Sequence, residues 1–228
     1  MLKPADRKTI LSSAIFKGIS GEDLDTALEF LHAHDRSYGR DEMIFLIGDP
    51  ISSAGIILEG SVELSFMDEN SNNVNMNHFI KGSVFGEALA CAQAERSPMQ
   101  MRALTDCRIL FFDFQSLFRS PSFVLDYQAV LIRNLLRDFS RQNVFLNQKV
   151  RIMSQKLLRD RLRVYLSELI PPGSDRISLR FNRSELAEFL GVNRSALSRE
   201  LSRMQEEGLI AVSGTEVRIL HSDFLIHH

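Results

Sequence analysis

From residue 125 to residue 157, apolar side chains recur at alternating intervals of three and four. In heptad register Ala129, Leu136, Asn143, Val150 and Leu157 take position a, and Leu125, Ile132, Phe139, Leu146 and Met153 take position d, so nine of the ten seam positions are apolar. A seam sustained over four heptads exceeds what one buried helix face requires, and it predicts a parallel two-stranded coiled coil. The exception fits that reading. An asparagine at a pairs with its copy across a dimer and fixes register and strand number at some cost in stability. The alternative for the same spacing is an amphipathic helix laid against the rest of its own chain.

On either side of this helix the periodicity differs. Between Ile10 and Leu31 helix-spaced apolar residues are interrupted by Gly18 and Gly21, which predicts short helices. The following residues shift to period two. Ser61 to Met67 alternates polar and apolar, Val74 to Ile80 alternates likewise, and Asp68 to Asn73 between them reads as a turn. Further strands fit Met43 to Leu46, Gly55 to Glu59, Gln100 to Leu104 and Cys107 to Asp113. Many short strands at this spacing predict a sandwich or barrel. The chain is expected to be α+β, with a barrel domain over 1–120, a dimerisation helix over 121–157, and a smaller domain over 158–228.

That last domain carries the most specific local pattern. After Pro171 and Pro172 come a strand (Arg176 to Phe181), a helix capped by Asn182 with Glu185 at the capping-box position, and a turn at Gly191. A second helix, capped by Asn193, runs from Arg194 to Gln205, and a ribbon from Leu209 to Leu220 follows. Ala187 and Gly191 sit four apart: a small residue lets two helices cross closely, and a glycine permits the positive backbone angle of a helix-turn-helix. Arg194, Ser195, Ser198 and Arg199 share the early exposed face of the second helix, where arginines reach phosphates and guanine edges. Arg183, at the start of the first helix, is expected on a phosphate. The alternative is a solvated basic face on a packing helix.

Charge agrees with that placement. The net charge is -2, yet residues 1–148 hold 14 basic and 19 acidic side chains while residues 149–228 hold 13 and 10, giving -5 and +3. The basic surplus is mild and lies on the C-terminal portion, where a nucleic-acid partner is expected. No apolar run approaches the roughly 18 residues of a membrane span, and the N-terminus shows neither a secretory nor a lipidation signal, so a cytoplasmic protein without membrane contact is expected. Two cysteines, Cys91 and Cys107, are too few for a disulfide framework.

These residues resemble the Crp/Fnr superfamily of bacterial transcription regulators over nearly the whole chain. Three blocks carry the resemblance in the family's order: Ile57 to Leu64 followed by Phe79 to Glu87; the long helix running into Arg161-Leu162-Arg163-Val164-Tyr165-Leu166; and Asn182 to Leu201. The resemblance implies a jelly-roll (double-stranded β-helix) sensor for a small-molecule effector, a homodimer, and a winged helix-turn-helix on DNA, with RNA polymerase a further partner if the protein activates.

In the cyclic-AMP-binding members a Gly-Glu pair holds the ribose and an Arg-Ser pair the cyclic phosphate. Gly86-Glu87 matches the first and Arg96-Ser97 looks like the second, while the dimer-helix residues that would face the adenine are Leu146 and Asn147. Aligned without gaps from Gly86-Glu87 and Arg102-Ala103, however, Ser97 and Pro98 fall at the phosphate positions, and a slip of one residue turns an arginine to the other side of a strand. The effector is therefore left unknown, with cyclic AMP disfavoured but among the alternatives. An iron-sulfur cluster is excluded, because no cysteine precedes Cys91. His78 is read as a satisfied core residue rather than a haem ligand. No metal-spaced cluster, nucleophile elbow or Walker loop appears, so no enzyme is expected. A regulatory module acting on a protein partner without DNA is the competing reading, against which Arg183, Arg194, Arg199 and Arg203 argue.

Overall fold

In the computed structural model residues 2–67, 69, 73–119 and 126–225 are described. The expected turn at 68–73 falls largely outside them, as does the seam position Leu125. Helices α1 (Pro4–Ser12) and α2 (Asp23–Phe30) precede strands β1 (His34–Tyr38), β2 (Met43–Phe45), β3 (Ala54–Glu59), β4 (Ser61–Met67), β5 (Asn73–Ile80) and β6 (Val84–Phe85). A short α3 (Glu87–Cys91), strands β7 (Gln100–Ala103) and β8 (Cys107–Phe112), and α4 (Gln115–Arg119) follow. The long α5 (Asp126–Met153) leads to α6 (Leu158–Leu169), β9 (Arg176–Ser178), α7 (Arg183–Phe189), α8 (Arg194–Glu206), β10 (Ile210–Ser213) and β11 (Glu216–Ile219), and a 3-10 turn (Ser222–Leu225) comes last. By internal contacts the chain divides into two compact units, Met1–Arg141 and Gln142–His228.

The first unit is the jelly roll. Two antiparallel sheets, ordered β1-β8-β3-β6 and β2-β7-β4-β5, enclose Ile57, Val62, Phe85, Met101 and Ile109. Alternation gives β8 a second apolar face: Leu110 and Phe112 point away from that interior and pack with Ile10, Phe16, Leu24 and Leu28 of the flanking helices. The edge of this sandwich is stapled by Arg108, whose guanidinium meets Asp6 at 2.6 Å, Asp35 at 2.7 Å and Glu59 at 3.0 Å. That cluster joins α1, β1 and β3 to β8.

His78 corrects an expectation. It is exposed rather than a core residue, because β5 is the outer strand of its sheet and His78 stands on the solvent side.

Helix α5 uses two faces. Tyr127, Leu131 and Leu135 are buried in the helix-side core, and Asn134 donates from Nδ2 to the carbonyls of Ile15 and Lys17, each at 2.8 Å. Along the seam Ile132 and Phe139 are half-buried, whereas Leu136, Leu146 and Val150 keep 65%, 56% and 67% of their surface exposed. The amphipathic alternative therefore describes one face and leaves the other uncovered. The seam also ends earlier than its spacing suggests. Helix α5 stops at Met153 where Ser154 Oγ and Gln155 Nε2 both donate to the Arg151 carbonyl, and Leu157 becomes the extended N-cap of α6.

The second unit packs Ile152, Leu162, Leu166, Ile177, Leu186, Leu197, Leu201 and Met204 into one core. A three-stranded sheet ordered β10-β11-β9 flanks it, with Ser213 paired to Glu216 at the wing turn.

Candidate nucleic-acid interface and effector site

Local chemistry fixes both helix starts in the reading head. The Asn182 side-chain oxygen accepts from the Ser184 and Glu185 amides at 2.9 and 3.0 Å, and Glu185 accepts from the Asn182 amide at 2.8 Å, closing a capping box. Gly191 lies at φ +66°, where a β-carbon would come within 2.9 Å of Met153 Cε. The Leu190 carbonyl at this turn accepts from Arg161 Nη1 at 2.9 Å. Asn193 then caps α8, accepting from the Ala196 amide at 2.7 Å.

Leu197, Leu201 and Met204 anchor α8 in the core, so the opposite face carries Arg194, Ser195, Ser198 and Arg199 into solvent. Among the described residues Arg194 and Arg199 have no ion pair. The helix is clamped from its other side by Arg159, whose Nε donates to Glu200 at 2.6 Å and whose Nη1 and Nη2 grip Glu207 at 2.7 and 2.8 Å. Ser195 holds a position that its type alone does not reveal: its hydroxyl donates to Asn193 Oδ1 at 2.8 Å. The exposed serine keeps only acceptor capacity. Arg183 is half-buried in a cleft of about 330 Å³ beside Gln205, Gly214 and Thr215, with Nη1 buried and unbonded, and desolvation pushes its pKa down.

In the barrel, Gly86 adopts φ +77° as the N-cap of α3 and Glu87 is that helix's first residue. Arg96 is exposed. Ser97 is buried, and its hydroxyl donates to the Met99 carbonyl at 2.6 Å and accepts from the Met99 amide at 3.2 Å, so it is committed to a local turn. These two neighbouring side chains do not converge on one point. Leu146 is exposed on α5, and Asn147 Nδ2 donates to Asn143 Oδ1 at 2.7 Å. A cavity of about 240 Å³ opens instead at the mouth of the barrel, between β1, β2, the 50–53 loop, Phe85 and Phe111. Of its lining only Gly86 was among the expected effector residues; His34, Arg36 and Tyr38 were missed, although their i, i+2 spacing was the available signal.

Burial pushes the Cys91 thiol up to about 11, with the nearby Glu87 carboxylate adding to the shift. The Cys107 thiol is raised as well, by burial first and by Glu42 and Asp106 next. Both are held as thiols at neutral pH, which disfavours a redox switch.

Residues 35–120 match the cyclic nucleotide-binding domain family, and residues 160–227 match the Crp-like helix-turn-helix domain family. The chain belongs to the Crp/Fnr superfamily. Among its relatives is the transcriptional activator protein Anr of Pseudomonas aeruginosa, 26% identical over 208 residues that cover 88% of this chain and 82% of that protein. The CRP-like protein Clp of Xanthomonas campestris pv. campestris is 27% identical over 207 residues, covering 86% and 88%. The Thermus thermophilus catabolite activator protein shares the fold, with a TM-score of 0.56 at 22% identity over 93% of this chain and 96% of that one. The Crp/Fnr chain described here is thus a DNA-binding transcription regulator with an effector-binding domain, and not an enzyme. Among the described residues no helix is long and apolar enough to cross a membrane.

Proposed function

We propose that this Crp/Fnr chain acts in the cytoplasm as a homodimer on a two-fold symmetric operator, with its barrel bound to a small-molecule effector that biases the orientation of the reading heads. The observation that carries it is the outward face of α8, where Arg194 and Arg199 stand without ion pairs among the described residues on a helix clamped from behind. Arg199 takes guanine O6 and N7 bidentately, Arg194 and Ser198 lie against phosphates or a neighbouring base, and Arg183 reaches the backbone from beside the wing. Ser195 gives its proton to Asn193 and so offers a short, neutral acceptor, a weaker reader of cytosine N4 than a carboxylate. The stripe through Ala129, Ile132, Leu136, Phe139, Leu146, Val150 and Met153, most open at Leu136, Leu146 and Val150, pairs with a second copy, and Asn143, whose oxygen accepts from Asn147 and keeps a second lone pair, offers that lone pair and its amide hydrogens to its counterpart.

The effector reading retains Gly86, Glu87, Arg96 and Ser97 of the barrel as contacts. Cyclic AMP is disfavoured by the commitment of the Ser97 hydroxyl. If the protein activates, RNA polymerase is the further partner. The working division remains barrel 1–120, a dimerisation segment over 121–157 whose helix α5 ends at Met153, and reading head 158–228.

Sedimentation at micromolar concentration is expected to give twice the 26.0 kDa chain mass. Replacing Leu136 and Val150 together by glutamate should yield a folded monomer that binds an inverted-repeat duplex about a hundredfold more weakly, since both heads no longer engage at once. A wild-type monomer, or a variant that binds as tightly as the wild type, contradicts the proposal.

A further inference from the structure

The mouth of the barrel is built by register. In the antiparallel pairing of β1 with β8, His34 stands opposite Phe111, and their rings stack at 5.7 Å with 22° between planes. Two residues on, the Arg36 guanidinium lies 5.0 Å from the centre of the Tyr38 ring. Phe85 forms the inner wall, edge-on to Phe111 at 6.1 Å and 89°. It reaches there only because residue 55 is glycine: a β-carbon on Gly55 would fall 2.4 Å from Phe85 Cζ. Two aromatic faces and the side chains of Ile44 and Ile51 thus line a space of about 240 Å³ that no acidic side chain enters. Arg36 has no ion pair among the described residues.

We infer that this mouth binds a small planar aromatic carboxylate. Flat rings offset or edge-on to one another select a flat apolar body. The guanidinium fork, steadied by Tyr38 and lacking a carboxylate of its own, matches a carboxylate in two parallel hydrogen bonds. The space is smaller than most drug-sized pockets and limits the ligand to one or two fused rings. Ser52 and Ser53 at the rim accommodate a ring hydroxyl or a second polar group. Glu87, Arg96 and Ser97 do not line this space, which shares only Gly86 with the contacts named above. The inference rests on the reading of the barrel as the effector domain and adds the chemical class of its ligand.

The test uses the full chain without DNA, titrated with 2-naphthoate and with its neutral counterpart 2-naphthamide and followed calorimetrically. The acid is expected to bind saturably and about tenfold or more tighter than the amide, the difference a charge-assisted pair makes. Arg36→Gln should bring the acid down to the level of the amide while amide binding persists, which also shows that the variant is folded. Absence of naphthoate binding to the wild type, equal binding of acid and amide, or an acid affinity unchanged by Arg36→Gln overturns the inference. A loss of acid binding in Arg96→Gln alone also overturns it, yet leaves the barrel as an effector domain. Operator binding, measured separately without naphthoate, reports on the regulator reading by itself.

Discussion

In the barrel Arg108 is enclosed by Asp6, Asp35 and Glu59 with little of its side chain exposed, whereas in the reading head Arg194 and Arg199 stand in solvent with no carboxylate among the described residues. The same residue type serves opposite ends. A guanidinium gripped by carboxylates of its own chain fixes architecture; one left without a carboxylate on a rigid element is available to a partner. Both uses occur within the head, where Arg159 is engaged by Glu200 and Glu207 and its clamp holds α8 while Arg199 faces outward. Arg36 at the barrel mouth belongs with the second kind.

The largest effect should come from breaking the enclosed arginine. Arg108→Met leaves the Asp6 carboxylate buried and unpaired and should destabilise the barrel by about 3–5 kcal/mol, measured by denaturant unfolding. pH sharpens the same point. Burial acts to raise the Asp6 carboxyl, but hydrogen bonds from Arg108 and the Lys3 amide outweigh it and the pKa is lowered on folding. That contribution is complete above the unfolded carboxylate value of about 4 and is lost as pH falls through the folded value. The wild type should therefore lose barrel stability below about pH 4, and Arg108→Met should show a flatter acid limb.

Next, Arg159→Ala should lower the head's stability in denaturant unfolding by removing the bonds to Glu200 and Glu207, an effect limited by the exposure of the pair, with DNA affinity falling because α8 loosens. Arg199→Ala should behave in the opposite manner: stability within about 0.5 kcal/mol of wild type, with operator binding weaker by about 1–3 kcal/mol in a titration by anisotropy. If Arg199→Ala instead melts the head, the distinction between engaged and unengaged arginines fails. The smallest effect belongs to Ser195→Ala, which removes a donor to Asn193 but leaves the Ala196 amide in place; helix stability should change by less than about 0.5 kcal/mol.

Strand β4, which alternates from Ser61 to Phe66 although its register shifts after Leu64 and buries Ser65, and the capped helices of the head were legible because local chemistry decides them. Asn182, Gly191 and Asn193 each act within a few residues. Strand β1 was not read, since His34 to Ser37 are polar and exposed; it forms as a sheet edge held by pairing to β8 and by Arg108 with Asp35. The mouth cavity was missed for the same reason. The i, i+2 spacing of His34, Arg36 and Tyr38 marks one of its walls, but its shape depends on cross-strand register and on Gly55 making room for Phe85, which the chain alone does not show. The seam was read one turn too long because heptad spacing does not sense the side chains that end α5 after Met153.

The central claim, that unengaged arginines on α8 of a paired chain read DNA, is tested most directly by selecting binding sites from randomised duplexes with the wild type and with Arg199→Ala. The account predicts an inverted repeat with half-sites about one helical turn apart, carrying a guanine in each half that loses its enrichment in the variant. A site without two-fold symmetry, or an identical guanine preference in both proteins, would contradict it.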